Sequence, residues 1–146
     1  MSSFYLPTGL PIPTSDAQGL TAPFWQGLRE EKLKIQRCAS CGAWQWGPEW
    51  LCHACHSFEV EWVETEPKGR MYSWERVWQP PNSTMKAAVP YLVVLIELDV
   101  GTGVRLIGNL LGSPEQNVEI GSAVRGVFEH HHASEPPFTL LHWMIA

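Results

Sequence analysis

Cys38, Cys41, Cys52 and Cys55 are the four cysteines of a 146-residue chain, and they fall as Cys-x2-Cys, ten residues, Cys-x2-Cys. A Cys-x2-Cys knuckle turns back tightly enough to aim two thiolates at one point. Two knuckles on facing hairpins complete a tetrahedron of sulfurs, the arithmetic of a zinc ribbon. Gly42, directly after Cys41, frees the backbone for that turn and lets it donate toward a sulfur. Four protein ligands leave no coordination position for water, so the spacing predicts a structural Zn2+. Cys52-His53-Ala54-Cys55-His56 also matches a c-type haem attachment pattern, but that needs an export signal and strands Cys38 and Cys41. A redox dithiol would use one pair beside a βαβ unit, which the pattern of elements lacks. With four thiols, His53 and His56 are not needed as ligands and are expected as solvated knuckle residues.

Other residue types with chemical capacity are less well placed. His130, His131 and His132 are consecutive, and consecutive strand residues point to opposite faces, so they are read as a strand end running into a turn. His142 is expected to be packed or to face a partner. No Gly-x-Ser-x-Gly, P-loop or Gly-x-Gly-x-x-Gly pattern occurs, no motif pairs two carboxylates, and no nucleophile is nominated. Eight tryptophans are many for this length, and a small ribbon cannot cover all of its own. Part of the set is expected in the core and part at an interface or against a flat ligand. Arg29, Lys32, Lys34, Arg37, Lys68, Arg70 and Arg76 suggest an anion site, but eight glutamates share the same stretch, and solvated charge pairs are the plainer reading.

The elements that must hold these residues can be read from pattern. Pro7, Pro11 and Pro13 mark residues 1–20 as an extended Pro-rich arm that orders against a partner. Thr21 as N-cap, Pro23 in the first turn, and Phe24, Trp25 and Leu28 on one face predict a short helix over about residues 22–32, within a 21–33 segment. Residues 34–67 form the ribbon, with Ile35, Trp44, Trp46, Val60 and Trp62 alternating as short strands require, and Pro67-Lys68-Gly69 is read as a turn. Residues 68–146 carry five strand-like runs: 70–79, 89–100, 104–111, 123–130 and 138–143. Gly101-Thr102-Gly103 joins the second and third as a tight hairpin. The expected fold is mainly β: an N-terminal helix, a rubredoxin-like zinc ribbon and a C-terminal five-stranded barrel of the oligonucleotide/oligosaccharide-binding (OB) type.

An ordered series of motifs runs through these elements. It comprises Phe-Trp-x-Gly-Leu-Arg on the helix, Ile35-Gln36-Arg37-Cys38-x-x-Cys41-Gly42, the second knuckle, Gly69-x-Met71-Tyr72-Ser73-Trp74 and Val89-Pro90-Tyr91. It continues with Ile96-Glu97-Leu98-Asp99, the RLIGNLLG run, Ile120-Gly121-Ser122-Ala123-Val124 and Val127-Phe128-Glu129. Over about residues 22–145 the series resembles the zinc-ribbon plus OB-fold family associated with acyl-CoA metabolism, domain of unknown function thirty-five. The resemblance implies a non-catalytic accessory subunit of a thiolase-superfamily enzyme, a thiolase or retro-aldolase of acyl-CoA degradation, in a two-plus-two heterotetramer with acyl-CoA at the interface. Some members of that family instead accompany hot-dog-fold acyl-CoA hydratases. Arg37, Trp46, Trp78, Pro80, Pro81 and Lys86 are the candidate contacts to CoA or to the partner. One departure is visible: the family's basic, Pro-containing last segment is replaced by the apolar Leu-His142-Trp143-Met144-Ile145-Ala146, which suggests a buried, partner-covered end.

Charge weighs on the alternative, a single-stranded nucleic-acid binder. Ten Lys plus Arg against fifteen Asp plus Glu give −5, and four thiolates around one Zn2+ bring the metallated chain to about −7. An acidic chain with dispersed bases is poorly equipped for phosphate backbones, so no nucleic acid is expected. The longest apolar run, Tyr91 to Ile96, is far short of the roughly 20 residues that span a bilayer, and the amino terminus lacks a signal peptide's basic start. The chain reads as soluble and cytoplasmic, with no membrane partner.

Overall fold

The computed structural model describes residues 4–13, 18–101 and 103–146. α1 (Ala22–Arg29) forms where the sequence places it, with Pro23 in its first turn and Phe24 and Leu28 buried one turn apart. It is shorter than the 22–32 expectation. Leu33 is fully buried and opens the next strand, so the chain must reverse within three residues. Glu31 takes a left-handed backbone (φ 58°), and the amides of Glu30 and Lys32 both donate to the Gly27 carbonyl, at 2.9 and 2.8 Å. Thr21 does not cap through its side chain; its carbonyl accepts from Phe24 and Trp25 instead.

The ribbon is a three-stranded antiparallel sheet in the order β2-β1-β3, built from β1 (Leu33–Cys38), β2 (Trp44–Gln45) and β3 (Val60–Thr65). β4 (Lys68–Val77), β5 (Tyr91–Leu98), β6 (Arg105–Asn109), β7 (Ala123–His131) and β8 (Phe138–Ile145) form a five-stranded sheet in the order β6-β5-β4-β7-β8. A parallel bridge between Leu110 and Trp143, reinforced by the Leu111 amide donating to the Trp143 carbonyl at 2.8 Å, joins its two edges. That closure makes the sheet a barrel with the expected OB connectivity. β4 carries the bend: it pairs with β5 along its length but with β7 only at Lys68, Gly69 and Arg70, with a register shift between Met71 and Ser73. β5 and β6 are antiparallel as expected, although Thr102, at the tip of the anticipated hairpin, lies outside the described residues.

Two further points bear on the sequence reading. Pro67-Lys68-Gly69 is not a turn, because Lys68 and Gly69 already belong to β4, and Gly69 pairs with Leu98 on one side and Val124 on the other. The glycine serves close approach: a Cβ there would lie 2.2 Å from the Glu97 carbonyl oxygen, a backbone atom that cannot swing aside. Gly69→Ala is therefore expected to cost about 1–3 kcal/mol, read as a lower urea midpoint at unchanged slope. A midpoint within error of the parent would contradict that packing. In the apolar carboxyl-terminal segment, His142 and Trp143 are already buried by this chain's own β7, β6 and arm, whereas Ile145 and Ala146 stay exposed.

One apolar core runs through all parts. Phe24 and Leu28 of α1, Leu33 and Ile35 of β1, and Met71, Leu92, Val94, Ile96, Leu106, Val124 and Trp143 of the barrel form one contiguous cluster. Trp25, Trp44, Trp46, Trp62 and Trp74 pack against it, so most of the tryptophan excess is structural. Residues 4–13 of the arm lie against the β7–β8 end of the barrel in the single chain. Among the described residues no helix is long and apolar enough to cross a membrane.

Candidate metal centre

The two knuckles are built alike. Cys38 closes β1 and its amide donates to the Ala43 carbonyl; the Cys52 amide donates to Ser57. The Gly42 amide donates to the Cys38 carbonyl and the His56 amide to the Cys52 carbonyl, both at 2.9 Å. Gly42 (φ 78°) and His56 (φ 62°) take the left-handed backbone that each turn requires, so His56 does in the second knuckle what glycine does in the first. The amides of Cys41 and Ala54 point at the sulfurs of Cys38 and Cys52, each at 3.4 Å.

The four sulfurs lie within 4.8 Å of one another, with Cys38 Sγ to Cys55 Sγ and Cys41 Sγ to Cys52 Sγ both at 3.6 Å. A zinc ion with Zn–S bonds of about 2.3 Å spaces tetrahedral sulfurs about 3.8 Å apart, so the cradle fits that ion. Ionisation points the same way. The Cys55 and Ala54 amides hold the Cys52 thiol down to about 6, and the Cys41 amide lowers Cys38. The Ser57 amide pulls Cys55 down, but desolvation and the adjacent sulfurs push it up to about 12. Four thiolates therefore crowd one point and need a cation to be ionised together. Among the described residues no other group of three or more Cys, His, Asp or Glu brings its ligand atoms this close.

Two buried glutamines, which sequence reasoning passes over, join the knuckles. Gln36 and Gln45 face each other across β1 and β2, with Gln45 Nε2 donating to Gln36 Oε1 at 2.8 Å. Gln36 exchanges bonds with the Glu49 backbone, both at 3.0 Å, while Gln45 reaches the Leu51 carbonyl and accepts from the His53 amide. This satisfies buried polar atoms and fastens the second knuckle to the first hairpin. The only sign in the sequence is an uncharged polar residue at each paired strand position. His53 and His56 are exposed, as expected, with the His53 ring against Gln45 at 2.9 Å.

The remaining candidates divide between ribbon and barrel. Arg37 bonds to the Gly42 carbonyl at 3.2 Å and lies over the Trp44 ring, and Trp46 packs on Phe24 with ring centroids 4.7 Å apart. Both are engaged within the chain. Trp78, 58% exposed, starts the connection from β4 to β5, where Pro80 is half-buried and Pro81 and Lys86 are exposed. A short 3-10 turn, Ser83–Met85, capped by Asn82 and anchored by the buried Met85, shapes that connection. The histidine run behaves as strand alternation requires: His130 bonds to Thr139 and Glu31, whereas His131 points to the opposite face.

Residues 25–61 match the profile described as ChsH2, rubredoxin-like zinc ribbon domain, and residues 62–129 that described as ChsH2, C-terminal OB-fold domain. The chain is also 30% identical over 106 residues to a DUF35 domain-containing scaffold protein of Methanocaldococcus jannaschii, covering 71% of this chain and 73% of that one. It belongs to the DUF35 family. The DUF35 fold here is similar to a chain of the solved structure described as Ltp2-ChsH2(DUF35) aldolase, at a TM-score of 0.74 and 31% identity, over 92% of this chain and 98% of that one. The DUF35 chain is also 37% identical over 102 residues to a probable enoyl-CoA hydratase alpha subunit of Thermomonospora curvata. It spans 69% of its own length there but only 31% of that protein. The cofactor implied by this family's ribbon, zinc, agrees with the sulfur geometry above.

Proposed function

We propose that this chain is the non-catalytic accessory subunit of a thiolase-type acyl-CoA enzyme, a thiolase or retro-aldolase, in which it stabilises the complex and helps to shape the CoA-thioester entrance. The observation that carries this reading is the likeness along nearly the whole length of the ChsH2 chain of an aldolase. The chemistry of the chain agrees: its four thiols converge as a tetrahedral ion requires, and four protein ligands leave no open position on such an ion. Zn2+ held by Cys38, Cys41, Cys52 and Cys55 rigidifies the ribbon. Trp78, Pro80, Pro81 and Lys86 form the contact surface, Lys86 meeting a CoA phosphate or a partner carboxylate. Arg37 and Trp46 support it from the ribbon. The assembly is a cytoplasmic heterotetramer of two plus two.

The likeness to a hydratase alpha subunit favours a second reading, an accessory subunit of a hot-dog-fold hydratase. Tagged chain purified from its own cells under native conditions distinguishes them. The expected result is a stoichiometric subunit of thiolase fold, identified by mass. A hot-dog-fold subunit in its place selects the second reading. A monomer that shifts oligonucleotides in a salt-dependent manner overturns both.

A further inference from the structure

β7 and β8 pair with Val127 opposite His142, Glu129 opposite Leu140 and His131 opposite Phe138. Directly opposed residues share a face of the sheet and their neighbours take the other, so Glu129, His131, Phe138, Leu140 and His142 form one patch. None of them belongs to the zinc centre or to the candidate contacts. Glu129 is unusual there, because its side chain is only 14% exposed and an enclosed carboxylate must be satisfied.

One of its partners comes from the other end of the chain. Oε1 accepts from His131 Nε2 at 2.8 Å, which places the proton on that nitrogen, since a carboxylate can only accept. Oε2 accepts the backbone N–H of Tyr5, 124 positions away, at 2.9 Å. His142 Nε2 lies 3.1 Å from the same oxygen but off the line of a directed hydrogen bond. Burial alone would raise the Glu129 carboxyl; the Tyr5 amide and the His131 ring outweigh it and hold the group below its ordinary value. Burial keeps His142 neutral by lowering it, against the pull of Glu129. The carboxylate at the centre is therefore ionised at neutral pH.

Aromatic contacts complete the closure. Phe4 stacks on His131 at 3.9 Å, and His131 stacks on Phe138 at 4.3 Å, a three-ring sandwich with one ring from the arm. The Tyr5 ring tilts against His142 at 5.3 Å, and its hydroxyl accepts from the Leu92 amide at 3.4 Å, at the start of β5. Beyond these two residues the arm runs past Phe138, Leu140 and Ser134 and forms one side of a half-open, mainly apolar pocket of about 410 Å3.

We propose that the N-terminal arm is a strap closed on the β7–β8 face by Glu129, which clamps the Tyr5 backbone while His131 seats Phe4. The strap forms one wall of that pocket in the free subunit, and a partner that uses the arm must first break the Glu129–Tyr5 bond. This holds whichever enzyme the chain serves, so its failure and that of the accessory role are separable.

Hydrogen exchange on the zinc-loaded full chain tests it. The Tyr5 amide, which Glu129 accepts, is expected to be protected in the parent protein. Glu129→Gln removes the charge and one of the two acceptors, and is expected to speed that exchange by at least about ten-fold while the buried strand Tyr91–Leu98 stays protected. A Tyr5 amide that exchanges at the rate of unstructured peptide in the parent, or one whose protection survives Glu129→Gln, would overturn the proposal. If Glu129→Gln also exposes β5, Phe4→Ala, which removes a ring of the arm alone, is read by the same two criteria.

Discussion

Stripping the metal, or replacing Cys52 by Ala, is expected to unfold residues 33–65 and to destabilise the barrel with them. β2 is two residues long, and the second knuckle contains no regular element, so the ribbon depends on its ion for closure. Structural zinc in small modules contributes an apparent 10–16 kcal/mol or so, comparable to the roughly 5–15 kcal/mol that holds a whole domain together. Leu33 and Ile35 share one core with Met71, Ile96 and Trp143, and opening the ribbon uncovers the barrel's apolar floor. A chelator should therefore lower a single thermal transition by tens of degrees instead of deleting a separate early step, and the parent should contain one zinc per chain by elemental analysis. A metal-free protein that melts at the parent's temperature would remove the structural role of the site.

Trp143→Ala is expected to be the most damaging substitution in the barrel. Trp143 is fully buried and stands where the barrel closes, its backbone bridging Leu110 and its carbonyl holding Leu111. Gly108 faces the indole so closely that a Cβ there would sit 2.9 Å from Trp143 Cδ1, so the residues around the ring are cut to its shape. Large-to-small changes of this kind cost about 3–5 kcal/mol, a drop of about 10 °C or more in the melting temperature at this chain length. The loss should appear in urea as well, because the cavity lies at the seam. A change below about 1 kcal/mol would mean that β6 and β8 are held together by something other than this side chain.

Much of this could be read from residue order. The cysteine spacing specifies the metal centre because knuckle geometry is local, and the five barrel runs are legible because strand alternation is local too. What escaped depends on approach between distant segments. Gly69 resembles a turn residue after Pro67, but its reason lies in Glu97, on the neighbouring β5. The helix ends early because Leu33 is claimed by the core. Glu129 is an unremarkable acid beside three histidines until Tyr5 arrives from the other end of the chain. Gln36 and Gln45 look like surface residues until the second knuckle folds over them. The apolar carboxyl terminus is a comparable case: its hydrophobicity was legible, but not that β6 and β7 of the same chain would bury His142 and Trp143.

The single core running from α1 through the ribbon into the barrel bears on how this fold can be inherited. Ribbon and barrel look like separable cassettes when their strands are drawn as two sheets, yet each supplies part of the wall that the other leans on. A gene fusion or a chimera that exchanged one without the other would join mismatched surfaces along Leu33, Ile35 and Met71. Helix, ribbon and barrel should thus be transplanted whole, and a relative roughly three times the length of the shared segment carries a counterpart of that unit inside a longer chain.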